Sequence, residues 1–272
     1  MKNNMILSAS GWRKVFSITN DEQDSSKNIG LENQAISVFA ALVFSDYVKE
    51  VTNKQKPTIL CGMDSRPTGS EIADATIKTL AANNVDVNFI GITAAPEIMA
   101  YSKNFDGFIY ISASHNPIGH TGIKFGLNTG GVLNGTENAK LVQKFNELCD
   151  KEDAIDYAMS ILNKANLSTV ENIYNNSPAQ KQQALLYYKN FLKETITACK
   201  DATKQDEIFS IIKNTINQKK LGVVCDMNGS ARSISVDKDF FAENLINFYA
   251  MNDVPGKIVH EIIPEAENLV HC

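Results

Sequence analysis

Thr58-Ile-Leu-Cys-Gly-Met-Asp-Ser-Arg-Pro-Thr-Gly-Ser-Glu71 is the stretch whose reading decides the fold. Its apolar start, Thr58 to Cys61, ends in a loop rich in glycine and proline, the pattern of a short buried strand. Thr68-Gly-Ser-Glu71 has the spacing of a capping box and predicts an apolar-periodic helix to about Ala82. Working outward, residues 85–92 read as a second strand, Pro96 fits the first turn of a helix reaching about Lys103, and Phe108-Ile-Tyr-Ile111 reads as a third strand, again buried. Residues 31–49 form a long apolar-rich helix suited to covering one face of a sheet. Strands alternating with helices predict an α/β fold, a mixed, largely parallel sheet sandwiched by helices.

Downstream the character changes. Residues 149–220 are poor in glycine and rich in Lys, Asn, Gln and Glu, which predicts helices joined by loops. Asn175-Asn-Ser-Pro178 is the clearest break, so the expected division is residues 1–178 and 179–272. Leu221-Gly-Val-Val-Cys225 then reads as a strand, followed by the polar loop Asp226-Met-Asn-Gly-Ser-Ala-Arg232, a helix over residues 236–245 and a strand near Phe248. This unit resembles the one at residues 59–82, since each strand carries a cysteine just before a loop with an Asp and an Arg. A lone strand-helix-strand cannot easily bury both faces of a sheet. The second α/β domain is therefore expected to be incomplete, with a topology similar to the first.

Composition bounds the function. At 272 residues the chain suits one large or two modest domains, and 43% hydrophobic residues exclude global disorder. A net charge of −5 argues against a nucleic-acid partner, although a local basic pocket for a small anion is compatible with it. No segment approaches the ~20 apolar residues that cross a bilayer, and Met5-Ile-Leu7 is too brief for a secretion signal. The five cysteines have no CxxC spacing and read as reduced thiols of a cytoplasmic protein.

The chemistry is expected in Tyr110-Ile-Ser-Ala-Ser-His-Asn-Pro-Ile-Gly-His-Thr-Gly-Ile-Lys-Phe125. Here a buried strand delivers Ser114 into a loop at its carboxyl edge, where open α/β sheets place ligands. Lys124 and His115 bring positive charge near that hydroxyl, so Ser114 can act as a nucleophile if its proton is removed and the developing anion is stabilised. In the competing reading, Ser112, Ser114 and Asn116 satisfy loop amides and His115 is a surface side chain. A serine-hydrolase reading is weaker, because Ser114 sits outside any G-x-S-x-G elbow and its neighbour His115 is poorly placed to serve as its base. His120, His260 and His271 show no spacing of a triad or zinc site.

Ser-Ala-Ser-His-Asn-Pro117 followed by Thr-Gly-Ile-Lys124 resembles the active-site serine loop of the alpha-D-phosphohexomutases, the phosphoglucomutase and phosphomannomutase family. Three further segments agree in order: Ser10-Gly-Trp-Arg13, Gly62-Met-Asp-Ser-Arg-Pro-Thr-Gly69 and Asp226-Met-Asn-Gly-Ser-Ala-Arg232. The resemblance implies an isomerase that moves a phosphoryl group through phosphorylated Ser114 and a hexose 1,6-bisphosphate, with glucose 1-phosphate or mannose 1-phosphate as substrate. By the same resemblance Lys124 serves proton transfer or charge stabilisation, Arg13 and His115 hold phosphoryl oxygens, and Ser10 and Asn116 belong to phosphate and substrate binding. Ser114 also becomes a Mg2+ ligand through its phosphate. Asp64 with Arg66 is expected to form a paired turn fixing the loop edge, and Asp226 with Arg232 to shape the second domain.

The departures are specific. Thr121 stands where the family usually has Asn, and Ala9 where it has Thr. The Asp-Gly-Asp-Gly-Asp-Arg metal run, the Gly-Glu-x-Ser-Gly sugar motif and the C-terminal phosphate loop do not occur in these residues. The expectation is an N-terminal portion of a phosphohexomutase, inactive alone. The alternatives are a phosphoglucosamine mutase and a non-catalytic sugar-phosphate-binding module.

Overall fold

The residues of the opening strand signal do form a strand, and it lies inside a sheet with a parallel neighbour on each side. The computed structural model describes residues 1, 3–114 and 116–260. Along the chain lie β1 (Ile6–Ser8), β2 (Gly11–Val15), α1 (Gly30–Thr52), β3 (Thr58–Met63), α2 (Gly69–Ala82), β4 (Asp86–Ile92), α3 (Ala95–Tyr101), β5 (Gly107–Ile111), β6 (His120–Leu127) and α4 (Gly135–Cys149). They are followed by α5 (Ala154–Leu162), α6 (Leu167–Thr197), α7 (Ala202–Lys219), β7 (Gly222–Asp226), α8 (Asp237–Glu243) and β8 (Asn247–Met251). The first six strands make one sheet in the order β1-β2-β6-β5-β3-β4. Neighbours β5, β3 and β4 are parallel, while β6 runs antiparallel to both β5 and β2, and β1 antiparallel to β2. Four of the six strands therefore point the same way, in the mixed α/β arrangement expected from the sequence.

Alternation along β5 assigns the two faces. Ile109 and Ile111 look into the larger core with Trp12, Ile123 and Phe125 from β2 and β6, under residues of α1, α2 and α4. Phe108 and Tyr110 look the other way, into a smaller cluster with Ile98 and Tyr101 of α3 and Ala184 of α6. The first helical layer reaches across to β1 and β6 through α4 and α1, whereas α3 and α6 rest on β5 and β4. Among the described residues, the helices of the second face, α3 and α6, rest on β5 and β4 and not on the strip formed by β6 and β2. Trp12 fixes that strip from beneath. It is fully buried, packs 4.9 Å from Phe125 and 4.8 Å from Phe145 between ring centroids, and donates its indole N–H to Asn138 at 2.8 Å. A buried side chain of this size contributes about 1.5–3 kcal/mol, so its neighbours Gly11 and Arg13 are held facing the opposite side.

Two local expectations are corrected. Thr68 caps no amide of α2: it is itself in a helical conformation, and its hydroxyl lies 2.6 Å from that of Thr121 in a buried pair that ties the helix start to β6. Tertiary pairing has taken the hydroxyl that the capping box would have used. Nor does the chain break at residues 175–178, because α6 runs unbroken through Pro178. The expected division at residues 178 and 179 falls inside that helix. A proline there forfeits a backbone hydrogen bond, but α6 is wedged between β4 and α3, and this packing overrides the poor local propensity.

The second unit is a parallel pair, β7 and β8, joined through α8. Phe248 stacks on Phe241 of α8, while Val224 and Tyr249 on the other face are exposed. It repeats the β3-α2-β4 arrangement even in its turn: Asp64 accepts from the amide of Arg66 at 3.0 Å, and Asp226 from the amide of Asn228 at 2.9 Å. Arg232 forms a forked pair with Asp237, which orders the start of α8. Polar and apolar contacts join the units, among them Val236 packed with Ala100 and Tyr188 and an ion pair between Lys189 of α6 and Glu243 of α8. Ser65 donates its hydroxyl to the carbonyl of Gly229 at 2.7 Å, and fully buried Glu97 accepts from both Lys181 (2.5 Å) and Ser235 (3.0 Å). Burial holds the Lys181 ammonium below its ordinary pKa in spite of this carboxylate.

Candidate active site

The uncovered strip of the sheet carries the expected residues. In the pairing of β2 with β6, Arg13 lies opposite Gly122 and Trp12 opposite Ile123. Arg13 and Lys124 therefore project from the same face, on a diagonal. Each crosses the other strand over a glycine. A β-carbon on Gly122 would stand 3.0 Å from Cγ of Arg13, and one on Gly11 would stand 3.1 Å from Cγ of Lys124. The two glycines thus make room for two cations side by side. Arg13 donates to the hydroxyl of Ser10 at 2.8 Å, and its Nε is buried with no partner among the described residues.

From β5 the chain turns into the loop at residues 112–119. Ser114 is exposed and stands at φ +58°, in the left-handed region. That conformation costs a non-glycine residue about 1–2 kcal/mol and occurs where the surroundings impose it. Its amide donates to the hydroxyl of Ser112 at 3.2 Å, and its own hydroxyl accepts from Nζ of Lys124 at 3.1 Å. Nζ of Lys124 also lies 5.9 Å from the ring centre of Tyr110, its cross-strand neighbour. Burial lowers the pKa of Lys124, with repulsion by Arg13 adding to it and Asp64 opposing it. The amine beside the serine is thus easier to deprotonate than an ordinary lysine. The side chain of Asn116 turns inward and donates to the carbonyl of Ala113 at 2.5 Å. His115 lies outside the described residues.

The residue whose part the sequence understated is Arg66. It was expected to pair with Asp64 in a turn, and it does, with Nε 3.5 Å from Oδ2. It also reaches under the serine loop. Nη2 donates to the carbonyls of Ser114 (3.0 Å) and Asn116 (2.5 Å), and Nη1 to those of Pro117 (2.5 Å) and His120 (3.1 Å). Burial raises the pKa of Asp64 and lowers that of Arg66, so desolvation outweighs the attraction between them on both sides. No sequence signal separates a guanidinium aimed at backbone carbonyls from one paired only with its neighbour.

The stretch from residue 7 to residue 151, more than half of the chain, matches the family model for phosphoglucomutase/phosphomannomutase, alpha/beta/alpha domain I. The chain belongs to the phosphoglucomutase/phosphomannomutase family. Among family members, a phosphoglucosamine mutase of Sulfurovum sp. (strain NBC37-1) is 36% identical over 121 residues, covering 44% of this chain and 26% of that protein. A phosphoglucomutase/phosphomannomutase of Thermococcus kodakarensis is 30% identical over 162 residues, covering 52% of this chain and 35% of its own length. A crystal structure from Thermus thermophilus, described as that of a phosphomannomutase, aligns with 99% of this chain and 51% of its own at a TM-score of 0.58 and 17% identity, a likeness of fold. The chain thus spans a quarter to about half of these family members.

A divalent metal does not find a site here by itself. Among the described residues no three His, Cys, Asp or Glu side chains cluster. Asp64, the carboxylate next to the serine loop, is occupied by Arg66 and by loop groups. Ser114 supplies one oxygen at most. Of the cysteines, Cys61, Cys149, Cys199 and Cys225 are free, and Cys272 lies outside the described residues. None of the described helices is long and apolar enough to cross a membrane.

Proposed function

We propose that this chain carries the phosphoserine part of a cytoplasmic phosphohexomutase, with Ser114 as the group that is phosphorylated and gives its phosphate to a hexose phosphate. The observation that carries the reading is the 3.1 Å contact between Lys124 and Ser114 on a strip of sheet shared with Arg13. In the forward step the bond between phosphorus and Oγ of Ser114 breaks, and a bond forms between phosphorus and a free hydroxyl oxygen of glucose 1-phosphate or mannose 1-phosphate. The proton of that hydroxyl passes to the neutral amine of Lys124, whose lowered pKa favours this role, and from the ammonium to the departing Oγ 3.1 Å away, which leaves as a neutral hydroxyl. The hexose 1,6-bisphosphate then turns over and returns its other phosphate to Oγ, whose proton passes through Lys124 to the departing sugar oxygen. Charge spread over the equatorial oxygens during transfer is offset by the guanidinium of Arg13, a planar fork matched to phosphate. Ser10 steadies that guanidinium. His115 joins Arg13 in this reading, and Asn116 acts by shaping the loop.

Among the described residues a Mg2+ ion would receive a single ligand, an oxygen of the phosphate on Ser114, so no net turnover of hexose monophosphates is expected from this chain when it is assayed by itself. The test is therefore the half-reaction. Incubated with glucose 1,6-bisphosphate, the chain should gain one phosphate, mapped to Ser114 by mass spectrometry, and Ser114→Ala should gain none. Arg13→Ala and Lys124→Ala should each slow uptake by about tenfold to a hundredfold, as hydrogen bonds to charged groups contribute about 1.5–3 kcal/mol. An unmodified Ser114 after prolonged incubation refutes the reading and leaves a non-catalytic sugar-phosphate-binding module. Because relatives such as that of Sulfurovum are phosphoglucosamine mutases, glucosamine 1,6-bisphosphate should be tried in parallel. Faster uptake from it would assign that sugar.

A further inference from the structure

We propose that Arg66 is the positioning residue of the nucleophile: it imposes the backbone course that aims Oγ of Ser114 at Lys124, and this inference rests on the phosphoserine reading above. A guanidinium has five N–H donors in one plane. Here one lies towards Asp64 and the rest serve the carbonyls of residues 114, 116, 117 and 120. With no donor left over, Arg66 has nothing to offer a substrate, and its side chain is only 6% exposed. Its contacts run from the nucleophile itself to the first residue of β6.

The turn that bears Arg66 also grips the other end of the loop, since the amide of Asp64 donates to the carbonyl of Ile111, the last residue of β5, at 2.9 Å. Both ends of the serine loop are thus set from one turn. Within it Ser114 adopts a left-handed conformation whose cost of about 1–2 kcal/mol must be met by its surroundings. The bond from Nη2 to the Ser114 carbonyl holds the peptide that follows this strained φ. A lysine at this position would present three tetrahedral donors on one nitrogen and could not span four carbonyls.

The test compares wild type, Arg66→Lys and Arg66→Ala in phosphate uptake from glucose 1,6-bisphosphate, with circular dichroism to report the fold. Arg66→Lys should take up phosphate about a hundredfold more slowly, the effect of roughly an ångström of misplacement. Millimolar guanidinium should restore much of the rate to Arg66→Ala and none to Ser114→Ala, a rescue that a purely structural role would not show. A folded Arg66→Lys with the wild-type rate, or an Arg66→Ala indifferent to guanidinium, overturns the proposal. Should both variants fail to fold, the unmodified chain decides by NMR. The Nη protons of Arg66 should be resolved and slow to exchange, and exchange as fast as that of a solvent-exposed guanidinium overturns the clamp. If wild-type Ser114 takes up no phosphate, the phosphoserine reading falls, and the same NMR measurement still judges Arg66.

Discussion

Replacing Gly122 by alanine tests the close approach of strands beneath the candidate site. Gly122 needs no unusual backbone angle, so the effect is one of space alone. Its new β-carbon would stand 2.7 Å from the carbonyl oxygen of Ser112, 3.1 Å from that of Trp12 and 3.0 Å from Cγ of Arg13. The arginine can swing away. The two carbonyls cannot, because Trp12 is locked in the aromatic core and the Ser112 amide is bonded to the Gly122 carbonyl at 2.8 Å. Relief therefore requires β6 to move by several tenths of an ångström against both neighbours. Overpacking of this kind costs about 1–3 kcal/mol, and two backbone contacts put this case near the upper end. In a chain of this size each kcal/mol lowers Tm by about 2–4 °C, so the expected fall is roughly 4–12 °C by differential scanning calorimetry. Gly135→Ala is the control: nothing lies within 4 Å of its β-carbon at the start of α4, and Tm should stay level or rise. Equal melting of Gly122→Ala and wild type would refute the packing described for β2 and β6.

Three further outcomes follow from the structure. Pro178→Ala should restore a backbone hydrogen bond within α6 and raise Tm by several degrees, since proline in a helix interior costs about 3 kcal/mol; a lower Tm would mean that the helix does not run through this position. Lys181→Met should destabilise the chain by about 3–5 kcal/mol by leaving Glu97 charged and buried, whereas Lys181→Met combined with Glu97→Gln should recover much of that loss in urea titrations. Lys124 has a folded-state pKa below the ordinary value of 10.5, so wild type gains stability as pH rises through the folded pKa towards 10.5. The difference in Tm between Lys124→Met and wild type should accordingly move in favour of wild type over that alkaline interval, and a constant difference would contradict the burial of the ammonium.

The parts legible in the sequence were those whose physics is local. Apolar runs such as Thr58–Cys61 and Phe108–Ile111 announce strands because both faces are buried, and Ser114 was placed at a strand end by counting from that run. β2 and β6 were not legible as strands. Their residues include Gly11, Arg13, Gly122 and Lys124, chosen for the strip they expose and the space they leave, so neither alternates as a half-buried strand should. Thr68 and Pro178 misled for the same reason from opposite directions: a good local signal was diverted to Thr121, and a bad one was overruled by packing against β4. Arg66 shows the limit most clearly, because its partners are carbonyl oxygens that every residue type possesses.

The strip above β6 and β2 also bears on how such a corner can change. Among the described residues the second helical layer rests on β5 and β4, two strands short of that corner, so its accessibility depends on how far the layer extends. A lengthened connection that settled over Gly11 and Gly122 would roof the corner while leaving every polar group in place, and trimming it back would reopen the same chemistry. Access and reactivity are therefore encoded in separate segments, free to vary at different rates.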